Sequence, residues 1–277
     1  DMGPAGTDSV RLVEHRAGRV RLYLNPACAG DVSVQALVDL PGALAGLPGR
    51  ATRQRGRVTS WRWQPDWAPP EGLAVRLYAH GGLLGPALGT GFLGAGRMLR
   101  ELRLAIAAHA RGVPTAEPVG VRVQCVCGPW VRAHYVSRIV PGALDMLSLL
   151  RSAPEDAPLS PPERRRLAHA AAAAVAALHE AGIRHGDLSL ANLLVQGSMD
   201  APRVFVIDFD KASEPGVVSW RARIGNLLRL NRSVLKWPAA RSALGPRTRL
   251  RFLRAYAREC RTGSAEAWFR VARRCDR

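Results

Sequence analysis

Apolar and polar positions alternate along several segments in the first half of the chain. Such alternation, with β-branched and aromatic residues, is typical of strands. It predicts five strands, at 19–24, 57–63, 73–78, 119–126 and 130–140. Apolar residues recur instead at three- and four-residue steps over 96–111, which predicts a helix. Another helix is expected over 31–47, with an interruption at Pro41 and Gly42.

Helical periodicity replaces this alternation after residues 141–142. A short helix is expected over 144–151. Ser160 is placed to cap a longer helix, because Glu163 follows three residues later and completes a capping box. Gly182 is placed to end that helix, since glycine is the usual residue just past a helix C-terminus.

The rest of the second half combines one hairpin with basic helices. Strand-like runs at 192–195 and 204–207 are joined by turn residues. The segment 219–277 is helical in character and strongly cationic. The chain therefore predicts a two-lobed α+β protein, with a β-rich domain over 1–140 and a helical domain over 141–277.

The charge balance favours anionic partners. The 277 residues include 40 Lys and Arg against 22 Asp and Glu, which gives a net charge of +18. So basic a surface favours nucleic acid, anionic lipid head groups or phosphorylated substrates. An arginine-rich composition also arises in a GC-rich genome without any such partner. The five cysteines are dispersed without zinc-type spacing, which fits a reducing cytosol.

Hydrophobicity indicates neither a secretory signal nor a membrane span. The most apolar run, Ala170–Leu178, is too short to cross a bilayer. We therefore expect a soluble or peripheral protein.

Three polar residues interrupt the apolar region of the hairpin. Asp187 lies on a predicted loop, Asn192 follows five positions later, and Asp208 comes after the hairpin. Taken singly, such residues are usually turn formers or caps. Phosphoryl transfer, however, needs a carboxylate to orient and deprotonate the acceptor hydroxyl, and oxygen ligands to hold Mg²⁺ on a triphosphate. We therefore expect Asp187 to be the base, and Asn192 and Asp208 to hold the metal.

The residues around this set resemble the protein-kinase-like superfamily. His185-Gly186-Asp187 with Asn192, followed by Asp208-Phe209-Asp210, is similar to the H-x-D-x-x-x-x-N and D-F-G patterns, although Asp210 replaces the final glycine. The segments 207–212 and 226–236 look like those of the bacterial lipopolysaccharide-core kinases, in particular the 3-deoxy-D-manno-octulosonic acid (Kdo) kinase family. The resemblance implies a two-lobed kinase-like fold, with ATP and Mg²⁺ as cofactors.

The resemblance also implies an ATP site in the first half of the chain. Arg76 stands where the superfamily has its phosphate-binding lysine, and a guanidinium fork can hold α- and β-phosphates. Glu101 is the only acidic residue between Glu71 and Glu117, so it is the expected partner of Arg76. The alternative is that Glu101 is a solvated surface glutamate.

Further contacts are expected around the two substrates. Arg55-Gly56-Arg57 is the only candidate for the turn over the phosphates, and the alternative is an ordinary hairpin turn. Backbone near Ile139 is expected to contact the purine. Arg57, Arg138 and Lys211 are candidates for contacts with an anionic sugar.

We expect structural roles for two histidines and a surface role for one basic segment. His185 is expected to brace the Asp208 segment by a hydrogen bond, and His179 to stabilise the end of its helix. The segment Arg221–Lys236 carries five cations and no acid, interleaved with apolar residues. This composition is typical of a helix on an anionic membrane, and it also suits a packed helix with a solvated cationic face.

The sequence therefore predicts a kinase, peripheral on the cytoplasmic face of the inner membrane. The resemblance implies that it transfers the γ-phosphoryl group of ATP to a sugar hydroxyl of lipid-linked Kdo, namely the 4-hydroxyl. No specific nucleic acid is expected. One alternative is an aminoglycoside-type phosphotransferase, which requires an acidic pocket for its cationic substrate. Another is a non-catalytic pseudokinase that binds nucleic acid through the basic surface.

Overall fold

The structure is a computed structural model that describes residues 10–45, 47, 50–52, 58–80, 89–152 and 159–260. The described strands are β1 (Val13–Ala17), β2 (Val20–Leu24), β3 (Arg50–Thr52), β4 (Val58–Trp63), β5 (Leu73–Leu77), β6 (Phe92–Leu93), β7 (Pro118–Cys127), β8 (Trp130–Arg138), β9 (Leu144–Asp145), β10 (Leu193–Gln196) and β11 (Arg203–Val206). The described α-helices are α1 (Val34–Val38), α2 (Leu40–Ala45), α3 (Gly96–Ala110), α4 (Met146–Ser152), α5 (Pro161–Glu180), α6 (Trp220–Lys236), α7 (Pro238–Ala243) and α8 (Pro246–Glu259).

The described residues form two compact units. One contains those of Thr7–Ala107 and Ala116–Val140, and the other contains those of Ala108–Thr115 and Pro141–Arg277. The first unit is rich in strands and the second is mainly helical. This α+β arrangement agrees with the fold class predicted from the sequence.

An antiparallel sheet forms the first unit. Within the described residues its strand order is β1-β2-β7-β8-β5-β4-β3. Strand β6 pairs with the first two residues of β8, Trp130 and Val131. Alternate side chains of β2 and β5 pack with α1 and α2 in one hydrophobic cluster. A second cluster joins Met98 and Leu102 of α3 to Val121 and Val123 of β7. Helix α3 is thereby fixed to the sheet by its apolar stripe.

The predicted break within 31–47 lies earlier than expected. Helix α1 is capped by Ser33, whose side chain accepts a hydrogen bond from the Ala36 amide, and it ends at Val38, with Asp39 as its C-cap. Pro41 lies instead in the first turn of α2. That position has no intrahelical partner for an N–H group, so proline is tolerated there and does not interrupt the helix.

Helix α5 is the central helix of the second unit. The Ser160 hydroxyl accepts from the Glu163 amide, and the Glu163 carboxylate accepts from the Ser160 amide, so the predicted capping box is confirmed. Gly182 has φ +79°, as expected for a residue just past the helix end. Small buried alanines on α5 allow α8 to pack closely against it.

The small sheet of the second unit has the order β11-β10-β9 and is antiparallel. The predicted helix over 144–151 begins as strand β9, because Asp145 pairs with Leu194 and then caps α4 by accepting from the Ser148 amide. Asn192 ends a 3-10 turn and does not begin the strand, since its amide donates to the Ser189 carbonyl. No helix within the described residues is both long and apolar enough to span a membrane.

Candidate active site

The candidate catalytic loop comprises residues 185–192, between α5 and β10. A hydrogen bond joins His185 to Asp187 at its start. The Asp187 amide donates to His185 Nδ1 at 3.1 Å, so Nε2 carries the ring proton and donates to the Ile207 carbonyl at 3.0 Å. Burial lowers the pKa of His185, which keeps the imidazole neutral and compatible with this tautomer. The predicted role of His185 as a brace for the Asp208 segment is confirmed.

Gly186 allows two backbone segments to lie side by side. A Cβ atom at this position would lie 1.9 Å from the Lys211 carbonyl oxygen, so no larger residue fits without displacement. Arg184 and Ser213 exchange two backbone hydrogen bonds on the same side, at 2.8 and 3.0 Å. The loop that carries Asp187 is thereby attached to the segment that follows Asp208.

Asn192 lies beside Asp187 within the second unit. Its Nδ2 donates to the Asp187 carbonyl at 2.8 Å, and Oδ1 is the side-chain atom with lone pairs for the predicted metal. The Asn192 carbonyl in turn accepts from the Ile207 amide at 3.0 Å, next to Asp208. The structure therefore brings the three predicted catalytic residues together around one hairpin.

Asp208 has an unusual backbone conformation. Its φ of +69° is the only positive value for a non-glycine residue in the described part of the chain. This left-handed conformation is unfavourable for an L-residue and persists where neighbouring contacts hold it. Here the flanking Ile207 is bonded to Asn192 and His185, and Phe209 is buried against the His185 ring.

The donor chemistry of this hairpin fits a magnesium site. Asn192 and Asp208 supply an amide oxygen and a carboxylate, and hard cations prefer oxygen ligands. No group of three or more His, Cys, Asp or Glu side chains suited to a metal occurs among the described residues. Two protein ligands suit Mg²⁺ in a kinase, because substrate phosphates and water complete its coordination.

Two cations flank the Asp187 carboxylate. Lys211 Nζ lies 3.2 Å from Oδ2, and Arg229 Nη1 lies 3.2 Å from Oδ1. All three side chains are about half exposed, with 62%, 46% and 45% exposure for Lys211, Arg229 and Asp187. Sequence reasoning proposed Lys211 for an anionic sugar but counted Arg229 only among the membrane-facing cations.

Asn226 on α6 holds the start of the catalytic loop. Its Nδ2 donates to the His185 carbonyl at 2.7 Å, and its Oδ1 accepts from the His185 amide at 3.0 Å. Oδ1 also lies 3.0 Å from His179 Nε2. About two turns further along α6, the Ser233 hydroxyl accepts a hydrogen bond from the Leu190 amide at 3.1 Å.

Sequence reasoning did not identify Asn226 as a functional residue. The sequence feature that could have identified it is the spacing of Asn226, Arg229 and Ser233, because steps of three and four residues place them on one face of a helix. Arg223 lies on the same face, is buried, and pairs with Glu180 at 2.6 Å. Asn226, Arg229 and Ser233 therefore face the catalytic loop, whereas Arg223 contacts the end of α5.

The expected role of His179 is wrong. The side chain is 1% exposed, and burial lowers its pKa to about 4. Nε2 donates to Asn226, so Nδ1 accepts the hydroxyl proton of Tyr256 at 2.6 Å. A neutral imidazole with both nitrogens engaged supplies no cation to the end of α5, and instead connects α5, α6 and α8.

The predicted ion pair between Arg76 and Glu101 is present in the first unit. The Arg76 guanidinium contacts the Glu101 carboxylate, which also accepts a hydrogen bond from the Tyr78 hydroxyl. Glu101 is 1% exposed, so the alternative of a solvated glutamate is wrong. Arg76 also lies over the Tyr78 and Tyr135 rings, at 4.9 and 5.5 Å. Its role toward ATP stays a prediction.

The other predicted substrate contacts are only partly within the described residues. Gly56 and Arg57 lie outside the described residues. Ile139 follows directly after β8, and its backbone amide donates a hydrogen bond to the Gly72 carbonyl at 3.0 Å. Arg138 pairs with Glu117 at 3.1 Å in the same unit, so its charge is already balanced by an acid.

The α+β fold is that of a protein-kinase-like enzyme, and the hairpin brings together the three residues predicted for phosphoryl transfer. A family model described as lipopolysaccharide kinase (Kdo/WaaP) family matches residues 87–256. The chain belongs to this family. It is therefore a phosphotransferase that acts on a sugar hydroxyl of lipopolysaccharide, and membership of a kinase family implies that it uses ATP.

Curated relatives and a solved structure agree with this membership. A 3-deoxy-D-manno-octulosonic acid kinase from Vibrio parahaemolyticus is 30% identical over 185 residues, which cover 65% of this chain and 71% of the relative. An enzyme of the same name from Actinobacillus succinogenes is 31% identical over 186 residues, covering 66% and 73%. A structure of WaaP in complex with acyl carrier protein is similar in fold, with TM-score 0.57 and 23% identity over 92% of this chain and 98% of that chain.

Proposed function

We propose that this protein transfers the γ-phosphoryl group of Mg-ATP to the 4-hydroxyl of Kdo on a lipid A precursor. The observation that carries the proposal is the hairpin site. Asp187 has a half-exposed carboxylate on a braced loop, beside Asn192 and next to the segment of Asp208. The curated relatives are named for the same sugar acid.

Asp187 is the base of the proposed reaction. It orients the acceptor hydroxyl and takes its proton while the hydroxyl oxygen bonds to the γ-phosphorus. The bond from that phosphorus to the β–γ bridging oxygen breaks, and ADP leaves. His185 holds the Asp187 amide by its Nδ1 atom, so the loop keeps its geometry during this step.

Asn192 Oδ1 and the Asp208 carboxylate are the proposed Mg²⁺ ligands. A Mg²⁺ ion held by these two residues would supply positive charge to the phosphates during the transfer. The positive φ of Asp208 is consistent with this role, because backbone strain is concentrated at functional sites.

Arg76 is the proposed contact for the α- and β-phosphates. Glu101 and Tyr78 hold its guanidinium in position, and the planar fork of a guanidinium matches phosphate oxygens. Gly56, Arg57 and backbone near Ile139 complete the proposed nucleotide contacts on the reasoning from sequence alone.

The proposed location is the cytoplasmic face of an anionic inner membrane. Exposed cations occur along α7 and α8, at Arg241, Arg247, Arg251, Arg254 and Arg258. Val217 and Trp220, at the start of α6, are 77% and 53% exposed. Each cation near an anionic membrane contributes about 1 kcal/mol to the free energy of membrane binding. Exposed aromatic side chains are favoured at the boundary between membrane and water.

The direct test is incubation of the purified protein with Mg-ATP and a Kdo–lipid A precursor, followed by analysis of the lipid. We expect a product heavier by one phosphoryl group, with the ester at the 4-hydroxyl. Phosphate on another hydroxyl would refute the proposed position, and an unmodified lipid would refute the acceptor. Turnover of kanamycin-like acceptors in its place would support the aminoglycoside alternative, which the two cations beside Asp187 disfavour.

A further inference from the structure

The two cations beside Asp187 have binding capacity beyond that carboxylate. Arg229 and Lys211 each contact one Asp187 oxygen, at 3.2 Å. A guanidinium has five N–H donors and an ammonium has three, so each cation retains donors after this contact. Because both side chains are about half exposed, an incoming ligand has access to them.

Stability does not account for this arrangement. Exposed ion pairs contribute about 0–1 kcal/mol to folding. The pair between Arg223 and Glu180 differs, since the Arg223 side chain is only 4% exposed. Arg229, Lys211 and Asp187 together carry one excess positive charge, at the position where the acceptor hydroxyl is expected to bind.

The backbone fixes both cations relative to the loop. Arg229 lies on α6 between Asn226 and Ser233, and both of these residues bind the catalytic loop directly. The Lys211 carbonyl lies against Gly186, which places its side chain next to the loop as well. Two cations on separate, fixed segments form a preorganised site for an oxyanion.

We propose that Arg229 and Lys211 bind the carboxylate of the acceptor sugar and thereby direct its hydroxyl to Asp187. This inference rests on the proposed function, since an octulosonic acid carries an ionised carboxylate at neutral pH. The guanidinium of Arg229 matches a carboxylate in its planar geometry, and Lys211 adds a second charge. Binding of the acid selects an anionic sugar over a neutral or cationic one.

The experiment compares Arg229→Gln and Lys211→Gln with the parent protein on two acceptors. One is the Kdo-bearing lipid, and the other is the same lipid with the carboxylate converted to a carboxamide. Arg165→Gln is the control, because Arg165 is an exposed arginine of α5 outside the site. With the natural acceptor we expect KM to rise about 10- to 100-fold in each site variant, as for loss of a charge-assisted hydrogen bond. The control keeps the parent KM.

The carboxamide acceptor separates the acceptor carboxylate from other sources of negative charge. We expect the parent protein to lose affinity for it, and the site variants to lose little more. An equal loss in the variants on both acceptors would overturn the inference, as would a rise confined to the KM of ATP, which would assign the cations to the γ-phosphoryl group. Failure of the parent protein to phosphorylate the natural lipid would overturn the proposed function instead.

Discussion

Gly186 shows how a single residue determines the geometry of the catalytic loop. The sequence motif placed a glycine between His185 and Asp187, but the motif alone gives no steric reason for it. The reason is the Lys211 carbonyl, which occupies the space that a Cβ atom would need. Contacts of this kind join residues far apart in sequence, so they become visible only in the folded chain.

Gly186→Ala is therefore expected to disrupt the site. Displacement of the loop should lower the free energy of unfolding by about 2 kcal/mol and reduce kcat. Gly225→Ala is the matched control, since a Cβ on this helical glycine of α6 meets open space. It should instead stabilise the protein by about 0.5–1 kcal/mol. Urea unfolding and steady-state kinetics measure both effects, and equal stability of the two variants would contradict the steric account.

Buried histidines link the stability of the protein to pH. Burial lowers the pKa of His179 and of His134 to about 4 in the folded state. The unfolded chain, with a histidine pKa near 6.5, binds these protons first. Stability is therefore complete above about pH 6.5 and is lost as the pH falls toward 4.

His179→Gln should make this pH dependence shallower. At pH 5 each of the two histidines accounts for about 2 kcal/mol of lost stability relative to pH 7.5. Removal of His179 removes its share, although the variant is less stable at both pH values because the bond with Tyr256 is altered. Urea unfolding at pH 7.5 and 5.0 gives the difference. An unchanged difference between the two pH values would show that His179 titrates normally.

Helix α6 has the solvated cationic face of the second alternative, because four of its five cations are exposed, but its polar residues also reach the catalytic loop. Its cations and apolar residues predicted contact with a membrane or a solvated cationic face. In the structure Arg223 is buried, Asn226 binds the catalytic loop, and Arg229 contacts Asp187. Periodicity identifies residues that share a face, but it does not distinguish a polar face toward solvent from one that satisfies a buried loop.

Asn226→Ala is expected to reduce catalysis by disordering the loop that carries Asp187. It leaves the His185 amide and carbonyl without their side-chain partner, at a cost of about 1–3 kcal/mol for each buried group. We expect kcat to fall by about 100-fold at a temperature where the variant remains folded, with the KM of ATP nearly unchanged.

Ser233→Ala provides the graded comparison, because it removes a single hydrogen bond to the loop. Its loss of kcat should be smaller than that of Asn226→Ala. Steady-state kinetics with circular dichroism to monitor folding separates the two variants. Full activity of folded Asn226→Ala would contradict the role of α6 in positioning the loop.

At the scale of the whole molecule, the sequence predicted the class of fold and the chemistry better than the details of contact. Strong periodicity predicted β2, β5 and α3, and the capping box with Gly182 predicted the start and end of α5. Strands β1, β3, β6 and β9 were not predicted. The last three have only two or three residues, which give little alternation to detect, and β1 has polar side chains at its three central positions. Nor could the pattern show that Arg229 contacts Asp187, because their proximity depends on the packing of α6.

The net charge of +18 predicts binding to anionic membranes that weakens with salt. Arg251→Glu with Arg254→Glu on α8 should lower the bound fraction on vesicles containing anionic lipid by about 10-fold or more. Arg16→Glu, on β1 of the first unit, is the control. Sedimentation with anionic and zwitterionic vesicles measures the effect. Equal binding of the α8 variant and the control would exclude α8 as the contact surface.

The central claim is that Asp187 is the base of a sugar kinase, and the most direct test measures phosphoryl transfer by Asp187→Asn. With Mg-ATP and the Kdo-bearing lipid, we expect kcat to fall by about 100-fold to 10,000-fold while nucleotide binding persists. Asp200→Asn changes an aspartate that is 86% exposed in the turn after β10, and it should retain the parent rate. Transfer by Asp187→Asn at the rate of Asp200→Asn would contradict the account.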